Sequence, residues 1–123
     1  MRLTLPRLIL SVVQRKYDFP AILSGAAKPP AYFNFTNEIF EPLATESETK
    51  DRPALWFVDR GHGVDVKYSF HDLFVNVQWM TGFLCDRLRI KPHDRIIVIL
   101  PKIPEWWIVN LVCLRIGKRL VGS

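Results

Sequence analysis

The side chains best suited to catalysis or metal binding in this 123-residue sequence are three histidines and two cysteines. Cys85 and Cys113 stand alone on expected apolar helices, with no C-x-x-C pairing and no spacing to a histidine of the kind that holds zinc. Both are expected to be buried thiols. His62, His71 and His93 fall in a turn, in the first turn of a helix and in a loop, so no two of them share a helix face. Arg60-Gly61-His62-Gly63 places a glycine on each side of a histidine, which suggests a phosphate cradle. A phosphate loop needs more glycine, usually a Lys-Ser/Thr pair, and a helix directly after it. A tight reversal between two strands is the expected use. The sequence shows no Ser-His-Asp logic, no paired carboxylates and no nucleophile elbow. The expected sets of catalytic, cofactor-binding and metal-ligating residues are therefore all empty.

The elements around these groups follow from periodicity. Arg95 to Leu100 is a β-branched apolar run that reads as a buried strand. Pro101 and Pro104 bracket a short loop. Glu105 to Ile116 has the length and composition of a helix of about three turns, with Glu105 at its positive end. Gly117 stands where a left-handed cap would fall, and Leu120-Val121 begins a second strand that is cut short. Strand, helix and strand make the right-handed crossover of a parallel sheet. After Glu105 only Asn110 and Arg115 interrupt an otherwise apolar helix, which needs neighbours on all sides. A helix taken from a larger α/β protein is the preferred reading over the central helix of one small domain.

Upstream, Ala54 to Asp59 and Val64 to Ser69 are β-prone runs expected to form an antiparallel hairpin. Ser69 and Asp72 have the form of a capping box. Phe70, Leu73, Val77, Met80, Leu84 and Leu88 then give one apolar helix face. Phe74, Trp79 and Phe83 widen it beyond what an isolated helix should expose; core packing is the expected use and a partner groove the alternative. In the turn Lys91-Pro92-His93-Asp94, a positive φ at His93 would cost something that glycine would not. Asn34 or Thr36 caps a short helix through about Thr45, which Pro42 should end or kink. Thr45 to Arg52 is charged and reads as an exposed loop.

Composition describes an ordinary globular chain, with 49% hydrophobic and 24% charged residues. The net charge of +5 is concentrated at one end. Arg2, Arg7, Arg15 and Lys16 supply four of the seventeen basic groups, and the rest of the chain holds thirteen basic against twelve acidic residues. A nucleic-acid partner is therefore not expected. Leu5, Leu8, Ile9, Val12 and Val13 follow a helical stripe, with Arg7, Ser11 and Gln14 opposite. This basic, acid-free amphipathic stretch fits a mitochondrial transit peptide, with a secretory signal as runner-up. It is too short for the ~20 residues of a transmembrane segment and has Arg7 inside it. Residues 1–30 are read as transit peptide and linker, and 31–123 as the folded part.

The stretch Asp94-Arg95-Ile-Ile-Val-Ile-Leu-Pro-Lys-Ile-Pro-Glu-Trp-Trp107, followed by Leu111-Val-Cys-Leu-Arg-Ile-Gly117, resembles the amino-terminal signature of the adenylate-forming acyl-CoA synthetases. It looks most like the medium-chain branch, where I-L-P-R-x-P-E-W-W and A-C-x-R-x-G are typical. Phe33-Asn34-Phe35, Pro53-Ala54-Leu55-Trp56 and Tyr68-Ser69-Phe70-His71-Asp72-Leu73 agree in order and spacing, so the resemblance runs from about Tyr32 to Gly122. It implies an α/β fold: the incomplete N-terminal part of the large adenylate-forming domain, made of a β-hairpin, a helix and a truncated parallel unit. For the complete enzyme it implies ATP-dependent activation of medium-chain fatty acids through an acyl-adenylate, with ATP, Mg²⁺ and CoA as cofactors, in the mitochondrial matrix.

Matches carried over residue by residue are structural: Pro101, Pro104, Glu105, Trp106, Trp107 and Gly117. The family's Ser/Thr/Gly-rich loop ending in Pro-Lys, its Tyr-Gly-x-Thr-Glu motif, its ribose-binding Asp and its C-terminal Lys have no counterpart between Met1 and Ser123. The chain alone is thus expected to lack turnover. It is also expected to be poorly stable and aggregation-prone, with an open sheet edge. Two alternatives stand beside this reading. One is a non-catalytic protein that self-associates or docks on full-length synthetases through its exposed apolar helices. The other is a basic membrane-surface binder acting through residues 5 to 16.

Overall fold

The computed structural model describes residues 17–91 and 93–117, together with the backbone of 119–122. The expected leader helix of residues 5 to 16 lies outside the described residues. Asp18 caps the first helix, α1 (Phe19–Leu23), its Oδ1 accepting from the Ala21 N–H at 3.1 Å. The rings of Tyr17, Phe19 and Phe33 meet edge-on or tilted at 5.6–6.4 Å. Phe19 also rests against buried Ile39 and Leu43, so α1 is packed onto the next helix.

That next helix begins with a π-helical turn, Thr36–Phe40, and continues as α2 (Glu41–Thr45). Of the end or kink expected at Pro42, the end does not occur. Proline has no N–H to donate, and its ring crowds the carbonyl four residues back. The wider turn just before it, in which the Glu41 N–H reaches the Thr36 carbonyl, accommodates both. The exposed loop expected over Thr45 to Arg52 holds for most of its residues, with Thr49 as the exception. Thr49 is fully buried and donates its hydroxyl to the Leu43 carbonyl at 2.8 Å. The carbonyls of Arg52 and Lys50 accept from the N–H groups of Phe70 and His71. Those two donors open the following helix and have no partner inside it, and this segment supplies the acceptors.

β1 (Pro53–Asp59) and β2 (Val64–Ser69) form the expected hairpin, with Leu55 opposite Tyr68 and Asp59 opposite Val64. Ser69 and Asp72 close both bonds of the capping box on α3 (Phe70–Gly82), which runs on into a π-helical turn, Phe83–Arg87. Leu73, Phe74, Val77 and Leu84 face a core shared with Phe40, Ala44, Ile108 and Val112. Leu88 was expected on this face but is 57% exposed. The wider turn after Gly82 changes the angular step, and Leu88 leaves the line of Leu73, Val77 and Leu84.

After α3, the turn into the next strand holds His93 at φ 71. A left-handed conformation costs about 1 kcal/mol for a residue with a Cβ. His93→Gly is therefore expected to raise stability by about 1 kcal/mol, read as a higher urea midpoint at unchanged slope; an unchanged or lower midpoint would contradict the assigned strain.

β3 (Arg95–Val98), α4 (Pro104–Arg115) and β4 (Arg119–Gly122) form the strand-helix-strand unit, and the strands are parallel with Arg95 beside Arg119. Gly117, at φ +65, ends α4 and donates its N–H to the Leu114 carbonyl, as a left-handed cap does. The expectation of a buried strand over Arg95 to Leu100 holds only for Val98. Ile97 is 72% and Ile99 84% exposed. A parallel sheet buries its strands by covering both faces, and here, among the described residues, the side of Ile97 and Ile99 has no such cover. α4 shows the same shortage of neighbours: Ile108, Val112 and Cys113 are buried, while Trp107 and Leu114 remain half exposed.

Candidate functional site

The hairpin turn that suggested a phosphate cradle is built around an acid. The Asp59 carboxylate sits 2.7 Å from His62 Nδ1 and accepts from the Gly61 and His62 N–H groups at 2.9 and 3.3 Å. The histidine contact, with the two amides behind it, holds this carboxyl below its ordinary 3.8. The amide donors that a phosphate would use are thus already taken by a negative charge. ATP phosphates do not fit this turn, and no reaction step is assigned to it.

Asp72 is held low in the same way, first by the Ser69 N–H and then by the Ser69 hydroxyl, at 2.9 and 2.7 Å. Both carboxylates have folded-state values below the unfolded one. Their contribution is complete above the ordinary carboxylate range and is lost as pH falls below 3.8 through the depressed values. Asp72→Asn is expected to lower the urea midpoint at pH 7, with the gap to the parent chain narrowing as pH falls below 3.8. A gap that keeps its size over this range would show that the capping carboxylate is not the cause.

An open groove of about 940 Å³ lies between the hairpin and the loop Pro101–Ile103, with Trp56, Arg60, Asp65 and Lys102 among its lining. Several hairpin side chains around it are engaged with one another. Trp56 Nε1 donates to Asp65 at 2.7 Å, and the Lys67 ammonium stands 4.5 Å from the Trp56 ring centre.

Periodicity did not reveal a polar clamp on the C-terminal end of α4. Asn34 Nδ2 donates to the Arg115 carbonyl and Thr36 Oγ1 to the Leu111 carbonyl, each at 2.8 Å, with both side chains buried. Arg115 itself pairs with Glu41 at 3.1 Å and lies 5.5 Å from the Phe74 ring centre. Helix ends leave carbonyls without partners; Asn34 supplies one to Arg115 from 81 positions away, and Thr36 adds a second donor to the Leu111 carbonyl from 75. The only advance signal was that Asn34 and Thr36 were suitable caps. Asn34 does cap its own helix, its Oδ1 accepting from Asn37 N–H at 3.2 Å.

The remaining candidates stay apart. His71 lies exposed in the first turn of α3, and His93 is exposed in its turn. Cys113 is buried and desolvation pushes its thiol upward; Cys85 is only partly buried, short of the full burial expected of it. Among the described residues no three His, Cys, Asp or Glu side chains gather as a metal site would require. No helix among them is long and apolar enough to cross a membrane. Pro104 is buried at the start of α4, Glu105 is exposed in its first turn, and the Trp106 and Trp107 rings meet edge-on at 4.8 Å. These residues shape the entry to a helix and carry no reactive group.

Comparison with known proteins assigns this scaffold. No family model matches the chain. It is 34% identical over 98% of its length to the mitochondrial acyl-coenzyme A synthetase ACSM3 of Rattus norvegicus, covering 20% of that protein. It is 38% identical to the mitochondrial acyl-coenzyme A synthetase ACSM4 of Homo sapiens, over 81% of the chain and 18% of the relative. With the human mitochondrial acyl-coenzyme A synthetase ACSM5 the identity is 33%, over 82% of the chain and 18% of the relative. The chain thus spans about a fifth of the length of the relatives it matches. A parallel unit with one face bare, a largely apolar helix short of neighbours and this level of identity agree: the chain belongs in sequence to the mitochondrial acyl-coenzyme A synthetases, as a stretch about one fifth of their length.

Proposed function

We propose that this chain is the N-terminal part of the large adenylate-forming domain of a medium-chain acyl-CoA synthetase of the mitochondrial matrix. Residues 1–30 would serve as transit peptide and linker, and 31–123 as scaffold. The whole enzyme activates a medium-chain fatty acid with ATP and Mg²⁺ to an acyl-adenylate, and CoA thiol then displaces AMP to give the thioester. The observation that carries this reading is identity of 33 to 38% over four fifths or more of the chain with mitochondrial acyl-coenzyme A synthetases. The scaffold role is supported by the side chains themselves, since the acids and amides of the hairpin turn and of the α4 clamp are engaged with each other.

The test is the intact mass of the endogenous protein, captured with an antibody against the exposed turn Arg60–Gly63. A species several-fold heavier than 14.3 kDa that releases pyrophosphate with ATP and a medium-chain fatty acid is the expected result. A species at or just below 14.3 kDa, or a heavier one without this activity, would overturn the assignment.

A further inference from the structure

Helix α3 has a second apolar face. Val75, Trp79 and Phe83 recur at four-residue steps, which aligns them along the side away from buried Leu73, Val77 and Leu84. Trp79 is 68% and Phe83 41% exposed, and their rings stack nearly parallel, 4° apart in plane with centres at 5.9 Å. Together with Gln78, Gly82, Asp86 and Arg87 they line an open hollow of about 750 Å³. Beyond them the exposed residues Arg87, Leu88, Arg89 and Lys91 add three cations and another apolar side chain. The nearby acids are Asp72, three residues before Val75 and bonded to Ser69, Asp86, whose carboxylate lies toward Gly82, and Asp94, which accepts from the Lys91 N–H.

We infer that this face seats on the surface of an anionic lipid bilayer, with the two stacked rings at headgroup depth and the cations toward lipid phosphates. Tryptophan and phenylalanine backed by arginine and lysine are the composition that favours a membrane interface, and each cation adds attraction to anionic lipid. Another bare apolar surface, Ile97 on β3 and Ile99 just after it, is aliphatic and lies on a two-stranded sheet. That composition calls for cover by polypeptide rather than lipid. The inference is independent of the activity proposed above and of residues 5 to 16.

The test is cosedimentation of the full chain with large vesicles of phosphatidylcholine, alone or with a fifth cardiolipin. Binding to the anionic vesicles alone is expected, weakening as salt is raised. Trp79→Ser with Phe83→Ser should reduce partitioning about tenfold, as should Arg87→Glu with Arg89→Glu. Ile97→Ser with Ile99→Ser should leave it unchanged, with circular dichroism confirming that every variant is folded. Equal binding to neutral vesicles, equal loss in the Ile97/Ile99 variant, or loss only on deletion of residues 1–16 would overturn the inference. So would a dimer broken by the Trp79/Phe83 variant without vesicle binding, which would assign the face to a second copy.

Discussion

Phe74→Ala is expected to bring the isolated chain close to unfolding at 25 °C, with its urea midpoint near zero. Truncating a buried phenylalanine costs about 3–5 kcal/mol through lost transfer energy and the cavity left behind. Phe74 is 5% exposed and sits where α3, α4 and the helix over residues 36–45 converge. Its ring is 6.4 Å from that of Phe40 and also lies under the Arg115 guanidinium. The loss therefore reaches all three helices at once. A small domain has only about 5–15 kcal/mol in total, and the open sheet edges of this one place it toward the lower limit. The measurement is a urea titration followed by far-UV circular dichroism, with Trp79→Ser as the exposed control on the same helix. A Phe74→Ala midpoint within error of the parent would remove Phe74 from the core.

The second large effect is expected at Asn34. Its side chain joins two helix ends, donating to the Arg115 carbonyl and accepting from the Asn37 N–H. Asn34→Leu keeps the approximate volume and strands both groups in a part-buried setting, at a cost of about 1–3 kcal/mol. Asn34→Asp separates the two roles. It retains the acceptor for Asn37, but sets a carboxylate against the negative C-terminal end of α4. It is expected to be no more stable than the leucine variant at pH 7. If Asn34→Asp instead matched the parent, the clamp on α4 would be energetically idle and only the cap would matter.

The contrast between these two residues shows what was legible in advance. Phe74 was readable as apolar surplus on a periodic helix, and periodicity is a local property. The same holds for the hairpin about Arg60–Gly63, the capping box of Ser69 and Asp72, the left-handed cap at Gly117 and the positive φ suspected at His93. Each depends on neighbours within a few positions. Asn34 was readable only as a possible cap, because its second partner lies 81 positions away. Burial was the least legible quantity. Phe74, Trp79 and Phe83 were grouped as one widening of a face, yet the first enters the core and the other two face outward.

By itself, the sequence determined the kinds of element, their order and the family to which the chain belongs, since local periodicity, turn chemistry and a long run of matched residues suffice for these. Tertiary structure decided that Pro42 is carried inside a helix by a π turn, that Thr49 is buried within a charged segment, and that β3 shows one apolar face to solvent. The physical reason is common to all three. Helix and turn preferences are settled by steric and hydrogen-bonding terms within a few residues, whereas burial and the pairing of helix-end carbonyls depend on which distant segments arrive to cover them.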